Sequence, residues 1–323
     1  MPPVSSVPNP GTANMEVVRG LDQAAGRFAR PVVTVGNFDG VHRGHQVILD
    51  WLRRDADQRD TIAVALTFDP HPTSVVRPEA APTLLMSLED RLDSLAAYGL
   101  DACVVQSFTP EFAEVEADAF VERFLVGALA AQKLIVGHDL NFGKDRQGSV
   151  ESLVESGGRH GFSVEIVEPV MVDDMVVHSS VVREKVAAGQ VGAVARLLGR
   201  PHRVRGCVVE GAGRGTELGF ATANIETTTP AVPGHGVYAT RTTVGGSEID
   251  SATSIGTTPT FDGDRTAVEV HLFEDCGDIY GQDIAVDFVE HLREQKKFDG
   301  PAALAAQIEA DVARAKELLA GGR

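Results

Sequence analysis

Two domains of different class are predicted: an α/β half built on a parallel sheet, then a β-rich half closed by one long helix. Three observations carry this. Buried-strand runs alternate with helical stretches through residue 199, and short β-rich runs broken by Gly, Pro and Asp take over after Arg200-Pro201. The 323 residues also exceed what one hydrophobic core ordinarily organises. Residues 1–14 are assigned to a disordered extension, 15–199 to the first domain and 200–323 to the second.

The extension is rich in Pro and Ser and lacks the apolar stretch of a signal peptide. In the first domain, Val32–Val35, Ile62–Phe68, Ala102–Val105 and Leu134–Val136 read as buried strands. Helical stretches lie between them, at about His42–Arg53, Ser87–Tyr98 and Ala117–Ala130. Such a sheet is parallel and covered on both faces, and ligands bind beyond the carboxyl ends of its strands. The unusual residues sit there: Gly36–His45 after the first run, Asp69–Pro72 after the second and Gly137–Gly148 after the fourth.

In the second domain, Arg205–Val209, Gly236–Thr242, Ala267–Phe273 and Ile284–Phe288 are strand runs with the spacing of a small barrel or sandwich. A terminal helix is predicted over Pro301–Leu319, with Pro at its start and Gly321-Gly322 after its end.

The net charge of −17 argues against DNA or RNA as a partner, and no apolar run approaches a membrane span. A polyanionic substrate must then be held locally, by N–H groups, a few Arg and Lys side chains and metal ions. Cys103, Cys207 and Cys276 show no metal-ligand spacing and suit a reducing cytoplasm. The sequence leaves a homo-oligomer open.

The string Gly36-Asn37-Phe38-Asp39-Gly40-Val41-His42-Arg43-Gly44-His45 follows a strand and opens a helix. A helix N-terminus offers N–H groups and a positive dipole end to phosphate. His42 and His45, three apart, are expected on one helix face, with Gly44 leaving room for close approach. Two imidazoles can donate hydrogen bonds to a phosphoryl group as its charge grows. The plainer reading is a Gly-rich turn with two surface histidines.

His-x-Gly-His after a first strand resembles the nucleotidylyltransferase superfamily. The longer string from Val35 resembles the adenylyltransferase module of prokaryotic bifunctional FAD synthetases. Three more strings agree: Thr67–Pro72, Val136–Gly143 with Arg146 and Gly148, and Ser179–Arg183. The resemblance implies a Rossmann-like domain that joins FMN to the α-phosphate of ATP. It implies that His42 and His45 contact the triphosphate within the Gly36, Phe38, Asp39, Gly40 and Gly44 loop. Ser179, Ser180 and Arg183 would hold the phosphates that leave as pyrophosphate, with Arg183 among the catalytic groups. Asp69, His71, Asp139, Asn141, Phe142 and Arg146 would line the flavin and nucleotide pocket. The FMN phosphate is already largely dianionic, so no protein base is needed. One departure is His178, which stands where the family's string usually begins with serine.

The second Gly-rich string, Gly211–Phe220, precedes Ala221-Thr222-Ala223-Asn224. Strand alternation puts Thr222 and Asn224 on one face, and their oxygens are hard ligands suited to Mg²⁺. A turn and a polar surface strand are the plainer readings. The string resembles the riboflavin kinase family, as do Gly236-Val237-Tyr238, Ile255–Phe261, Glu269–Leu272, Tyr280-Gly281, Leu292-Arg293 and Lys297-Phe298. This implies a small β-barrel in which Gly211, Gly213, Arg214 and Gly219 cradle ATP phosphates and Thr222 and Asn224 hold Mg²⁺. Glu269 would be the base that takes the proton of the attacking ribityl hydroxyl. Ala221 stands in place of a proline, and Thr216 where arginine is common.

The expected function is therefore FAD biosynthesis by phosphorylation of riboflavin and adenylylation of FMN, with ATP and flavins as the binding partners. The alternatives are one retained activity, or a flavin-binding regulatory protein.

Overall fold

The structure, a computed structural model, describes residues 15–211, 220–260 and 263–321. The chain divides into two compact units. One comprises residues up to Pro82 together with Leu88–His178, and the other Thr83–Ser87 together with the chain from Ser179.

The first unit runs β1 (Glu16–Arg19), α1 (Leu21–Ala24), β2 (Val32–Val35), α2 (Arg43–Gln58), β3 (Ala63–Asp69), α3 (Pro72–Val76), α4 (Leu88–Ala97) and β4 (Ala102–Ser107). It continues with α5 (Pro110–Ala113), α6 (Ala117–Phe120), β5 (Lys133–Gly137), α7 (Val150–His160) and β6 (Ser163–Val167), then the small hairpin β7 (Met171–Val172) and β8 (Met175–Val176). Every pairing in the large sheet is parallel, in the order β1-β4-β3-β2-β5-β6. The chain moves outward from β2 through β3 to β4, then returns to add β5 on the other side. The strand order therefore reverses between β2 and β5, the place where such sheets ordinarily bind ligands, beyond the carboxyl ends of the strands.

The four residues of β2 are all buried, as a doubly covered parallel strand requires. The helix expected over Ala117–Ala130 is α6 continued by a π-helical stretch, Val121–Ala128. Leu129 N–H donates to Phe124 O at 2.8 Å, five residues back. The wider turn places Phe120, Phe124 and Leu125 together in the core.

The second unit begins with α8 (Ser179–Ala187) and α9 (Val191–Leu198), and Val191 packs into the core formed by the following strands. These strands are β9 (His202–Val209), β10 (Ala223–Thr227), β11 (Gly236–Val244), β12 (Ser247–Thr260), β13 (Gly263–Leu272) and β14 (Asp283–Arg293), followed by α10 (Pro301–Ala320). They close into an antiparallel barrel in the order β10-β13-β12-β11-β14-β9. Closure leaves no free sheet edge.

Alternation fills the barrel with Val204, Val208, Ile225, Ile255, Val268, Val270, Val286 and Phe288. Four hydroxyls are buried as well. Thr240 meets Ser251 and Thr253 at 2.8 Å each, and Thr242 meets Ser251 at 2.8 Å. They satisfy one another, which is what makes them tolerable inside. Helix α10 lies on the outside wall, packing Ala315 and Leu319 on Ala239. Arg293 on β14 donates to both oxygens of Asp311 on this helix, at 2.7–3.0 Å.

Candidate active sites

In the first unit the loop after β2 is forced into an uncommon shape. Phe38 (φ 50°), Gly40 (φ 86°) and Val41 (φ 40°) all have positive φ. That is costly for an aromatic and a β-branched residue. Burial holds it, since Phe38 and Val41 are each 1% exposed. The Gln46 side chain also donates to Val41 O at 2.8 Å.

Helix α2 starts at Arg43, so His42 is its N-cap and not a residue of its face. His45 N–H donates to His42 Nδ1 at 3.4 Å, and this acceptor role leaves the proton of a neutral His42 ring on Nε2. The two imidazoles stack at 3.7 Å between centroids and 15° between planes. Phe38 meets His45 edge-on at 5.2 Å from the other side. Burial, then the charges of His42 and His178, hold His45 well below the ordinary imidazole value of 6.5. It is neutral at pH 7, and its buried Nδ1 has no hydrogen-bond partner among the described residues. The two rings come together by capping and stacking, and not, as expected, on one helix face. Asp39 is buried, and its charge faces Arg91.

Beyond β3, the Asp69–Pro70 peptide is cis and His71 caps α3, accepting from Thr73 N–H at 3.2 Å. His71 Nε2 lies 3.2 Å from the Asn37 side-chain nitrogen. Loops from two strands thus meet side chain to side chain.

Beyond β5, Asn141 donates to Asp139 O at 2.8 Å, and Phe142 pairs with Gly148 in an isolated bridge. A Cβ at 148 would sit 2.6 Å from the Phe142 ring, so glycine is required there. Arg146, with φ 60°, is exposed on the same loop. The Asp139 carboxylate lies 3.6 Å from His178 Nδ1, and the His138 and His178 rings are 6.2 Å apart. Position 178 is therefore an imidazole beside the Asp139 carboxylate. Ser179, Ser180 and Arg183 open α8 and belong to the second unit.

Two features of the first unit were not foreseen. Arg91 of α4 is buried under the β2 and β3 loops, donating to Asn37 O at 2.8 Å and Phe68 O at 3.0 Å. Its signal was only a charged residue at a core-facing position of a helix. The other is an aromatic cluster. Phe68 meets Phe108 at 5.7 Å, Phe108 meets Phe112 at 5.5 Å, Phe112 meets Phe124 at 5.4 Å and Phe120 meets Phe142 at 5.6 Å. Phe108 and Phe112 are half-buried, an apolar wall that suits a flat aromatic ring.

In the second unit the site is made by strand register. Asn224 on β10 lies directly opposite Glu269 on β13, and Glu269 lies opposite Ser254 on β12. Such cross-strand neighbours have Cβ atoms about 4.5–5.5 Å apart. Their flanking residues Ile225, Ile255, Val268 and Val270 point into the core, so all three face outward. Thr222 directly precedes β10, two residues before Asn224 and in phase with it. Nearby, His271 Nδ1 is 2.9 Å from Ala221 O, and its ring meets Phe220 at 5.5 Å. Gln295 donates to Ser254 Oγ at 2.9 Å and Ile255 O at 3.0 Å, fixing the segment after β14 beside the site.

A Cβ at Gly211 would overlap the Asn224 amide, so glycine is needed where the Gly-rich loop leaves β9. Gly213, Arg214, Thr216 and Gly219 lie outside the described residues. The Thr222 hydroxyl and the Asn224 side-chain carbonyl are hard oxygens of the kind that fits Mg²⁺. Among the described residues no group of three or more His, Cys, Asp or Glu is poised to hold a metal. A cation at Thr222 and Asn224 would thus complete its shell from phosphates and water, as Mg²⁺ ordinarily does.

Comparison with known proteins covers both units. Residues 26–181 match the FAD synthetase family model, and residues 198–319 match that of riboflavin kinase. A bifunctional riboflavin kinase/FMN adenylyltransferase of Pseudomonas fluorescens is 38% identical, over 95% of this chain and 98% of that protein. Those of Haemophilus influenzae and Escherichia coli K12 are 37% and 33% identical, each over 94% of this chain and 98% and 97% of theirs. A solved structure described as a macrolide-efflux protein from Streptococcus pneumoniae superposes with a TM-score of 0.85 at 27% identity, covering 94% of this chain and 99% of that one. Among the described residues no helix is long and apolar enough to cross a membrane. Two family models in tandem, and relatives matched over nearly their whole length, agree with a parallel-sheet unit followed by a barrel: this chain belongs to the bifunctional riboflavin kinase/FMN adenylyltransferase family.

Proposed function

We propose that the barrel unit phosphorylates riboflavin to FMN and that the parallel-sheet unit supplies the site that adenylylates FMN to FAD. The observation that carries the kinase reading is the pairing of Asn224 with Glu269 across adjacent strands. A carboxylate beside a phosphate-holding amide is what hydroxyl attack on a phosphoryl group requires. Glu269 takes the proton from the ribityl hydroxyl as its oxygen bonds to the γ-phosphorus of ATP, and ADP leaves with the bridging oxygen. Thr222 and Asn224 would hold Mg²⁺, which would supply positive charge to the phosphates. The Gly211–Gly219 loop contributes backbone N–H groups.

For the second step, an FMN phosphate oxygen bonds to the α-phosphorus of a second ATP and pyrophosphate leaves. His42 and His45 donate to the α-phosphoryl oxygens as charge builds there. Neutral His45 suits this role, because a neutral ring keeps one N–H to offer and adds no charge to the resting site. The half-buried Phe108 and Phe112 offer the isoalloxazine a stacking wall, with Asp69, His71, Asp139, Asn141, Phe142 and Arg146 around the ligand. The phosphate roles of Ser179, Ser180 and Arg183 rest on the likeness of their string to the family. The three cysteines, all free, suit a cytoplasmic setting.

The test is product analysis after incubating the protein with riboflavin and MgATP. FMN should appear first and FAD after it, with one ADP and one pyrophosphate released per FAD. Unchanged riboflavin, or FMN that is never consumed, would refute the two-step reading.

A further inference from the structure

We propose that Arg91 is a positioning residue for adenylyl transfer, clamping the loop after β2 to the carboxyl end of β3, from which the second loop of the reacting site departs. It rests on the reading that the loops after β2 and β3 form that site. Arg91 projects from α4 and is only 4% exposed. Three acceptors converge on its Nη1: Asn37 O at 2.8 Å, Phe68 O at 3.0 Å and Thr67 Oγ1 at 3.1 Å. The Thr67 hydroxyl itself donates to Asn37 O at 3.3 Å. Nη2 faces the Asp69 carboxylate at 3.6 Å.

Burying a guanidinium is costly, and an apolar side chain would fill this space more cheaply. What the cation adds is a link between strands. Asn37 belongs to the loop that leads into His42, and Thr67, Phe68 and Asp69 end β3, directly before the turn that carries His71. The same loops touch again through the Asn37 amide and the His71 ring at 3.2 Å. Without the clamp, two main-chain carbonyls and a hydroxyl lose their shared donor, and the spacing of the loops relaxes. A shift of about 1 Å in such a site can cost about 100-fold in rate.

One feature makes the inference specific. A single guanidinium nitrogen has two hydrogens for these three acceptors, whereas an ammonium has three. Lysine at 91 keeps the charge and the donors on a stem one bond shorter, so it can restore part of the link to Asn37, Thr67 and Phe68 and gives up the contact with Asp69.

The experiment measures FAD formation from FMN and ATP in the full-length chain, with the kinase step assayed alongside. Arg91→Met should lower kcat about 100-fold, leave KM for ATP within about threefold and leave the kinase step unchanged. Arg91→Lys should recover part of the loss and be clearly faster than Arg91→Met. Leu95→Ala, one turn along the same helix and fully buried, controls for lost packing: it should lower the melting temperature yet keep kcat. Arg91→Met that keeps kcat as Leu95→Ala does, or Arg91→Lys as slow as Arg91→Met, overturns the inference. If Arg91→Met does not fold, Thr67→Val decides: removing the hydroxyl should lower kcat about fivefold, and an unchanged kcat overturns the inference. His45→Ala is run in parallel. Loss of adenylyl transfer in His45→Ala but not in Arg91→Met refutes the clamp alone, whereas full activity in His45→Ala refutes the site reading beneath it.

Discussion

On the proposed reading, the two units hold a polyphosphate on a chain of net charge −17 by opposite means. In the first, the grip comes from neighbours in sequence. Ten consecutive residues leave a strand, bend through Phe38, Gly40 and Val41, and stack His42 on His45 at a helix start. In the barrel, the grip comes from neighbours in register. Asn224, Ser254 and Glu269 are far apart along the chain and adjacent only because β10, β13 and β12 pair as they do. A loop-built site stands or falls with local backbone shape, and a register-built site with strand pairing. Mutations should therefore separate the two activities cleanly.

The sharpest separation is expected from Glu269→Gln. It keeps the volume and removes the base, so the kinase step should fall about 1,000-fold. FAD formation from supplied FMN should be unaffected. His45→Ala should reverse the pattern, with adenylyl transfer down about 100-fold and riboflavin phosphorylation intact. Equal damage to both steps in either folded variant would erase the distinction drawn here. Gly211→Ala tests the barrel more finely. The new methyl displaces the Asn224 amide, so kinase activity should fall about tenfold and the Mg²⁺ concentration for half-maximal rate should rise. A normal Mg²⁺ response would detach Asn224 from the metal.

What the sequence disclosed follows the same division. Val32–Val35 and the string after it were readable because a doubly buried strand is a solid apolar run and its loop is contiguous. Strand β1 was not read, since Val17 and Val18 are its only apolar residues between Glu16 and Arg19. Strand β6, at the other edge of the sheet, is largely open to solvent and carries Ser163 and Glu165. Strand β12 was missed for another reason: its inward Ser251 and Thr253 look like surface residues until Thr240 and Thr242 are paired with them. The helix face proposed for both histidines became a cap plus a helical residue, because His42 departs from helical ψ at 171°. Arg91 was hidden for the physical reason that makes it informative, since a buried cation has meaning only through acceptors on other elements. Phe68, Phe112 and Phe142 likewise come from separate elements, and only folding joins them into one wall.

The smallest predicted effect concerns stability against pH, and it belongs to the first unit alone. The folded chain holds His45 neutral, with its pKa below the ordinary 6.5. Below about pH 6.5 the unfolded chain binds a proton that the folded ring refuses. The stability associated with neutral His45 is therefore complete above about pH 6.5 and lost progressively as pH falls toward the lowered value. Thermal melts from about pH 7 to about pH 5 should show a shallower decline in His45→Asn than in the parent. Identical slopes would mean that this ring is not held neutral by folding.

The claim that two self-sufficient sites share one chain is tested most directly by mixing two defective variants. Glu269→Gln alone should leave riboflavin untouched, and His45→Ala alone should stop at FMN. Combined with riboflavin and MgATP, the pair should make FAD, because FMN released by one protein feeds the intact site of the other. A mixture that makes FMN but no FAD, while Glu269→Gln still converts supplied FMN, would contradict that independence.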